Sequence, residues 1–155
     1  MTILMLAPAL QEKIWGGTKL ATFGYQLPSD HVGEAWVISA HDNGVSKITQ
    51  GEFAGQDLAQ LWTERPELFG GHDPEQAFPL LAKILDAQEN LSIQVHPNDK
   101  QSSENFGKTE SWYILDATPD AKLYYGHQAP TKAALKTMVD EREWSQLLRT
   151  IPVQK

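Results

Sequence analysis

The sequence predicts a mainly β protein, an antiparallel sandwich or barrel with helices confined to a few short insertions. Short runs rich in aromatic and β-branched residues recur along the chain, each bounded by Gly, Pro, Asn or Asp. Apolar residues at helical spacing appear in only two regions, around Leu58 and after Thr131. Strands therefore do not alternate with long helices as a parallel βαβ architecture requires.

Taken in order, the apolar opening MTILMLAPAL reads as the first strand, because it lacks a basic start and runs directly into the polar QEK. EAWVIS, Glu34 to Ser39, has strand composition, and HDNG, His41 to Gly44, supplies the turn into VSKIT. Leu58, Leu61 and Trp62 share one face of a short helix that Pro66 prevents from continuing. AFPLLAKILDA resumes as a mostly apolar strand. LSIQVHP alternates, with Leu91, Ile93 and Val95 on one face and Ser92, Gln94 and His96 on the other. ESWYILDA and AKLYYG read as a strand pair, and Leu135, Met138, Val139, Trp144, Leu147 and Leu148 mark one or two packed helices capped by Thr131.

At 155 residues the chain is long enough for one domain that buries about two thirds of its unfolded surface. It contains no cysteine and no apolar stretch of about 18 residues, which points to a soluble, cytoplasmic protein. Twenty acidic against 13 basic residues give a net charge of -7, which repels nucleic acid and anionic membranes. A small anionic ligand remains compatible, since one lysine can act locally in a cleft.

The polar face of LSIQVHP carries the chemistry. If that face lines a barrel lumen, Gln94 and His96 sit side by side on one wall, and a second wall could bring Glu110. An imidazole, a carboxylate and an amide oxygen suit a divalent ion, with zinc favoured by the histidine. A structural or solvated histidine is the competing reading.

EKIWGGTKL, GEAWVISAH, FPLLAKILDA, LSIQVHP and GKTESWYILDA, in this order, resemble the short bacterial form of the type I phosphomannose isomerases. The resemblance covers essentially the whole chain and implies a cupin (jelly-roll) barrel, incomplete at the C-terminus, with residues 1–155 as a single truncated N-terminal part of the catalytic domain. It implies one zinc ion per complete site, with Gln94, His96 and Glu110 as metal ligands, and a reaction interconverting mannose 6-phosphate and fructose 6-phosphate. Lys108, two residues from Glu110, is the catalytic candidate. Lys83, a lysine inside the apolar run PLLAKILD that must snorkel or find a buried partner, is a substrate-binding candidate with Glu34 and Trp15; core packing is the other reading of Trp15.

The family supplies a further histidine from a later strand that this sequence does not reach, so the missing C-terminal half is an expected partner and the fragment alone is expected to be inactive. The connection NDKQSSENF is shorter than in the family, which bears on closure over a substrate, and Ser111 stands where relatives often carry cysteine. His127 reads as a surface residue, and His31, His41 and His72 receive no role. The alternative function is a non-catalytic cupin module that holds a metal ion or a sugar phosphate.

Overall fold

The computed structural model describes residues 3–102 and 107–155. Strands dominate and helices are short. The chain packs as two compact units, Met1–Gln94 and Val95–Lys155.

The first unit is built around an antiparallel sheet of β2 (Ala9–Gly17), β3 (Val32–Ile38) and β7 (Ala82–Leu85), with β3 in the centre. Pairing Ala35 with Leu10 and Ile84 places these three on one face, where they pack with Leu20, Val32, Tyr25, Leu27 and Val37. Pairing Glu34 with Gln11 and Leu85, and Trp36 with Ala9 and Lys83, places the polar set on the opposite face. The central strand is thus buried on both sides, and the period of two sorts core from chemistry. β1 (Leu6–Ala7) pairs with β6 (Lys47–Ile48), so the opening segment forms its strand from Leu6 onward. β4 (Ala40–His41) and β5 (Gly44–Val45) form the expected hairpin across Asp42–Asn43. Helix α1 (Leu58–Glu64) buries Leu58 and Leu61, the latter against Ile48 and Phe53, and ends just before Pro66 as the sequence requires.

The second unit contains β8 (Lys122–His127), helix α2 (Lys132–Asp140), the single turn α3 (Trp144–Leu147) and β9 (Leu148–Pro152). Thr131 caps α2, its Oγ1 accepting the Ala134 N–H at 3.1 Å. β8 pairs with β9, not with ESWYILDA, because the α2–α3 connection returns the chain antiparallel along β8. Residues 110–117 and the alternating run 91–96 form no strand among the described residues. The physical reason is common to both: a strand needs a neighbour for its N–H and C=O groups, and these segments have none there. Their apolar side chains stay open, with Ile93 52% and Val95 91% exposed. No sheet closes into a barrel among the described residues. Residues 103–106 of the short connection lie outside the described residues.

Gly16 is dictated by packing: a Cβ there would lie 2.4 Å from the Gly33 backbone nitrogen, and backbone cannot swing aside. Gly16→Ala should therefore destabilise the protein by about 1–3 kcal/mol or more. Gly24→Ala, where a Cβ meets nothing but φ is +85°, should cost about 1–2 kcal/mol from the backbone alone. Chemical denaturation of the two variants checks the order; equal stability of Gly16→Ala and wild type would contradict the packing seen here.

Candidate metal and substrate site

In the second unit, Asn98 organises the turn after His96. Its Oδ1 accepts the N–H groups of Lys100 and Gln101, an Asx turn written into PNDK. Gly107 N–H donates to Asp99 Oδ1 at 2.6 Å and Lys108 N–H to Pro97 C=O at 3.0 Å, which returns the chain beside His96. The result brings three predicted residues together. His96 Nε2 lies 2.8 Å from Glu110 Oε2, and Lys108 Nζ lies 3.1 Å from Glu110 Oε1. The expected meeting of Lys108 and Glu110 is achieved by this turn and one backbone bond, without a strand.

Partial burial acts to raise the Glu110 carboxyl, but hydrogen bonds from His96 and Lys108, with the charge of both, outweigh it and hold the group below the usual glutamate range. Glu110 is accordingly an anion that accepts from both neighbours. Two zinc ligands with bonds of about 2.0–2.2 Å in tetrahedral geometry stand about 3.4 Å apart. A small opening of the 2.8 Å His96–Glu110 contact would admit an ion, so the donor types and their spacing fit zinc. Among the described residues no three His, Cys, Asp or Glu side chains form a ready-made metal group. Gln94, exposed and two residues before His96 in the chain, closes the first unit.

The first unit gathers the other candidates, except Trp15, into one cluster. Glu34 is 8% exposed. Its Oε1 lies 3.5 Å from Lys83 Nζ, and its Oε2 accepts the Trp36 indole N–H at 2.8 Å and lies 3.8 Å from Lys13 Nζ. Lys83 therefore solves its burial with a carboxylate partner, and its ammonium also lies 4.9 Å from the Trp36 ring centroid. Trp15 is 6% exposed, and its Cζ3 would be only 2.7 Å from a Cβ at position 33. Its carbonyl accepts the Gln88 and Glu89 N–H groups. Sequence reasoning missed Trp36 and Lys13. The signal for Trp36 was available, since positions 34 and 36 of a strand share a face. His127 is exposed at the end of β8, as expected of a surface residue.

The family model for the phosphomannose isomerase type I catalytic domain matches residues 3–123. Mannose-6-phosphate isomerase ManA of Bacillus subtilis is 48% identical over 155 residues, covering 97% of this chain and 49% of the relative. The mannose-6-phosphate isomerase of Streptococcus mutans is 45% identical with the same coverage. The crystal structure of the mannose 6-phosphate isomerase from Bacillus subtilis matches with a TM-score of 0.93 and 45% identity, over 99% of this chain and 50% of that one. The chain belongs to the type I phosphomannose isomerase family. It spans about half the length of the curated relatives it matches.

The Glu110 environment sets a pH dependence. A carboxyl lowered in the folded state stabilises it fully above its unfolded value, and that contribution is lost as pH falls through the lowered folded value. A carbon-13 titration of Glu110 in metal-free protein should give a midpoint below the ordinary glutamate range, and His96→Ala or Lys108→Met should raise it. A midpoint at or above the ordinary value in the wild type would refute the assignment of an ionised, doubly hydrogen-bonded carboxylate.

Proposed function

We propose that this chain carries the metal-binding and part of the substrate-binding machinery of a zinc-dependent aldose–ketose isomerase acting on mannose 6-phosphate and fructose 6-phosphate. The observation that carries the reading is the convergence of His96, Glu110 and Lys108 in a member of a family whose relatives bear that name. Residues 1–155 are read as part of one cupin-type catalytic domain, incomplete in itself. In support, the family match runs unbroken across the boundary between the two units.

In this reading Gln94, His96 and Glu110 would hold the ion, which when bound supplies Lewis acidity toward the sugar oxygens. Isomerisation moves one proton between C2 and C1 through an enediol, with a matching proton shift between O1 and O2. Lys108, already seated on Glu110, is assigned to hold or pass a proton at those oxygens. Lys83, Glu34 and Trp15 are assigned to substrate contact: Glu34 as an acceptor for sugar hydroxyls, Lys83 as a cation for an anionic sugar, and Trp15 as an apolar wall. The substrate partner is thus a small sugar phosphate. No helix among the described residues is long and apolar enough to cross a membrane, and the net charge of -7 disfavours nucleic acid; a cytoplasmic setting is part of the reading proposed here.

The second reading, a non-catalytic cupin module that holds an ion or a sugar phosphate, draws on the Glu34–Lys83 cluster, which could bind without turnover. Half the length of the relatives is outside this chain, and we infer that the 155 residues alone bind zinc weakly and turn over little. A coupled assay for fructose 6-phosphate formed from mannose 6-phosphate with added zinc separates the readings. Activity should be near background for the chain alone, appear on mixing with the complementary half of a relative, and vanish in His96→Ala. Zinc affinity measured with a competing chelator should fall in His96→Ala by at least the roughly 10- to 100-fold that even outer-shell changes cost. Sugar phosphate binding with no activity in the mixture would instead favour the non-catalytic module.

A further inference from the structure

We propose that Trp36 is a positioning residue that fixes the Glu34 carboxylate and the Lys83 ammonium in the orientation a sugar phosphate would meet; this rests on the substrate-contact reading of those two residues. The indole is 7% exposed and sits on the same sheet face as both, two residues from Glu34 along β3 and directly opposite Lys83 on β7. Its two chemical features address the two partners separately. The N–H donates to Glu34 Oε2 at 2.8 Å, which fixes which oxygen turns toward Lys83. The ring face lies 4.9 Å from Lys83 Nζ, so the ammonium is bounded by Oε1 on one side and by the π-face on another.

A neutral donor is suited to this task. A third cation on Glu34 would tie down the carboxylate further, whereas the indole N–H occupies one acceptor position and leaves the anionic charge in place. The indole is itself held. His41 packs edge-on against it at 5.5 Å and 85°, and His41 Nδ1 accepts the Asn43 N–H, so the β4–β5 turn fixes the histidine ring. A Cβ at Gly44 would come within 2.9 Å of Trp36 Cε3, so the absence of a side chain there is what admits the ring. The hairpin, the indole and the Glu34–Lys83 pair form one mechanical chain.

The test separates the ring from its N–H. Trp36→Phe keeps an aromatic face and removes the donor; Trp36→Leu removes both. In folded variants, acetylation of Lys83 followed by mass spectrometry should be several-fold faster in Trp36→Leu than in wild type and near wild type in Trp36→Phe, with exposed Lys132 as the internal reference. Fructose 6-phosphate binding by calorimetry should weaken about tenfold in both variants, the size expected when a hydrogen bond to a charged group is lost. Unchanged labelling and binding in both variants would overturn the proposal. If the wild type binds no sugar phosphate, the substrate-contact reading of Glu34 and Lys83 in this chain fails, while the Lys83 labelling contrast still decides whether Trp36 positions its neighbours. If neither variant folds, the Trp36 indole N–H resonance decides: it should move and exchange faster in Glu34→Gln, and an unmoved resonance would overturn the proposal.

Discussion

Burial of the Glu34 carboxylate is the constraint around which the first unit is arranged. An ionised carboxylate removed from water must be paired and hydrogen-bonded, or the group costs several kcal/mol. Here Lys83, Trp36 and Lys13 answer that demand together. The demand also fixes the register of the sheet. Sliding β7 by one residue against β3 would carry Lys83 to the face occupied by Leu10, Ala35 and Ile84, leaving a carboxylate without its cation and a cation in the apolar core. A buried ion pair is weak evidence for stability but a strong device for specifying one arrangement over its neighbours, the role its geometry fits here.

The second cluster is held by different means. His96 and Glu110 meet through an Asx turn at Asn98 and one backbone bond from Lys108 to Pro97, with little apolar burial beneath them. Among the described residues of that unit only Leu147 is a buried hydrophobic, while Trp112, Tyr113, Leu115 and Tyr125 stand exposed. Segments with few buried apolar contacts open at low free energy. The two candidate clusters thus rest on foundations of unequal stiffness, a sheet face in one case and a turn in the other.

This difference explains what could be read from the sequence. EAWVIS, the HDNG hairpin, the end of α1 at Pro66 and the Thr131 cap are local decisions, governed by composition, turn chemistry and capping within a few residues, and all appear. Lys83 was legible as a problem, a lysine in an apolar run, and the structure supplies Glu34 as its solution. The alternation of LSIQVHP was equally clear, yet periodicity specifies which side chains share a face and not which strand will pair with the backbone. Without a neighbour the run forms no regular structure and stays open. ESWYILDA failed for the same reason, and the partner chosen by β8 was β9, whose approach depends on the path of α2 and α3 between them.

Pairing information is non-local, and so is the chemistry that depends on it. Of the expected set Gln94, His96 and Glu110, His96 and Glu110 meet, with Lys108 beside Glu110, because the turn residues Asn98 and Gly107 do locally what a strand pair would have done by register. The polar face of LSIQVHP need not be presented by a sheet for its histidine to find a carboxylate. It needs the chain to reverse within about a dozen residues, and loops of that length can close at modest entropic cost. What a strand would add is stiffness in Gln94 and His96 as a pair, since side chains two apart on a paired strand are held parallel. In the zinc-site reading proposed above, a firm shell at Gln94, His96 and Glu110 needs a hydrogen-bonded neighbour for residues 91–96 as well as the ligands themselves.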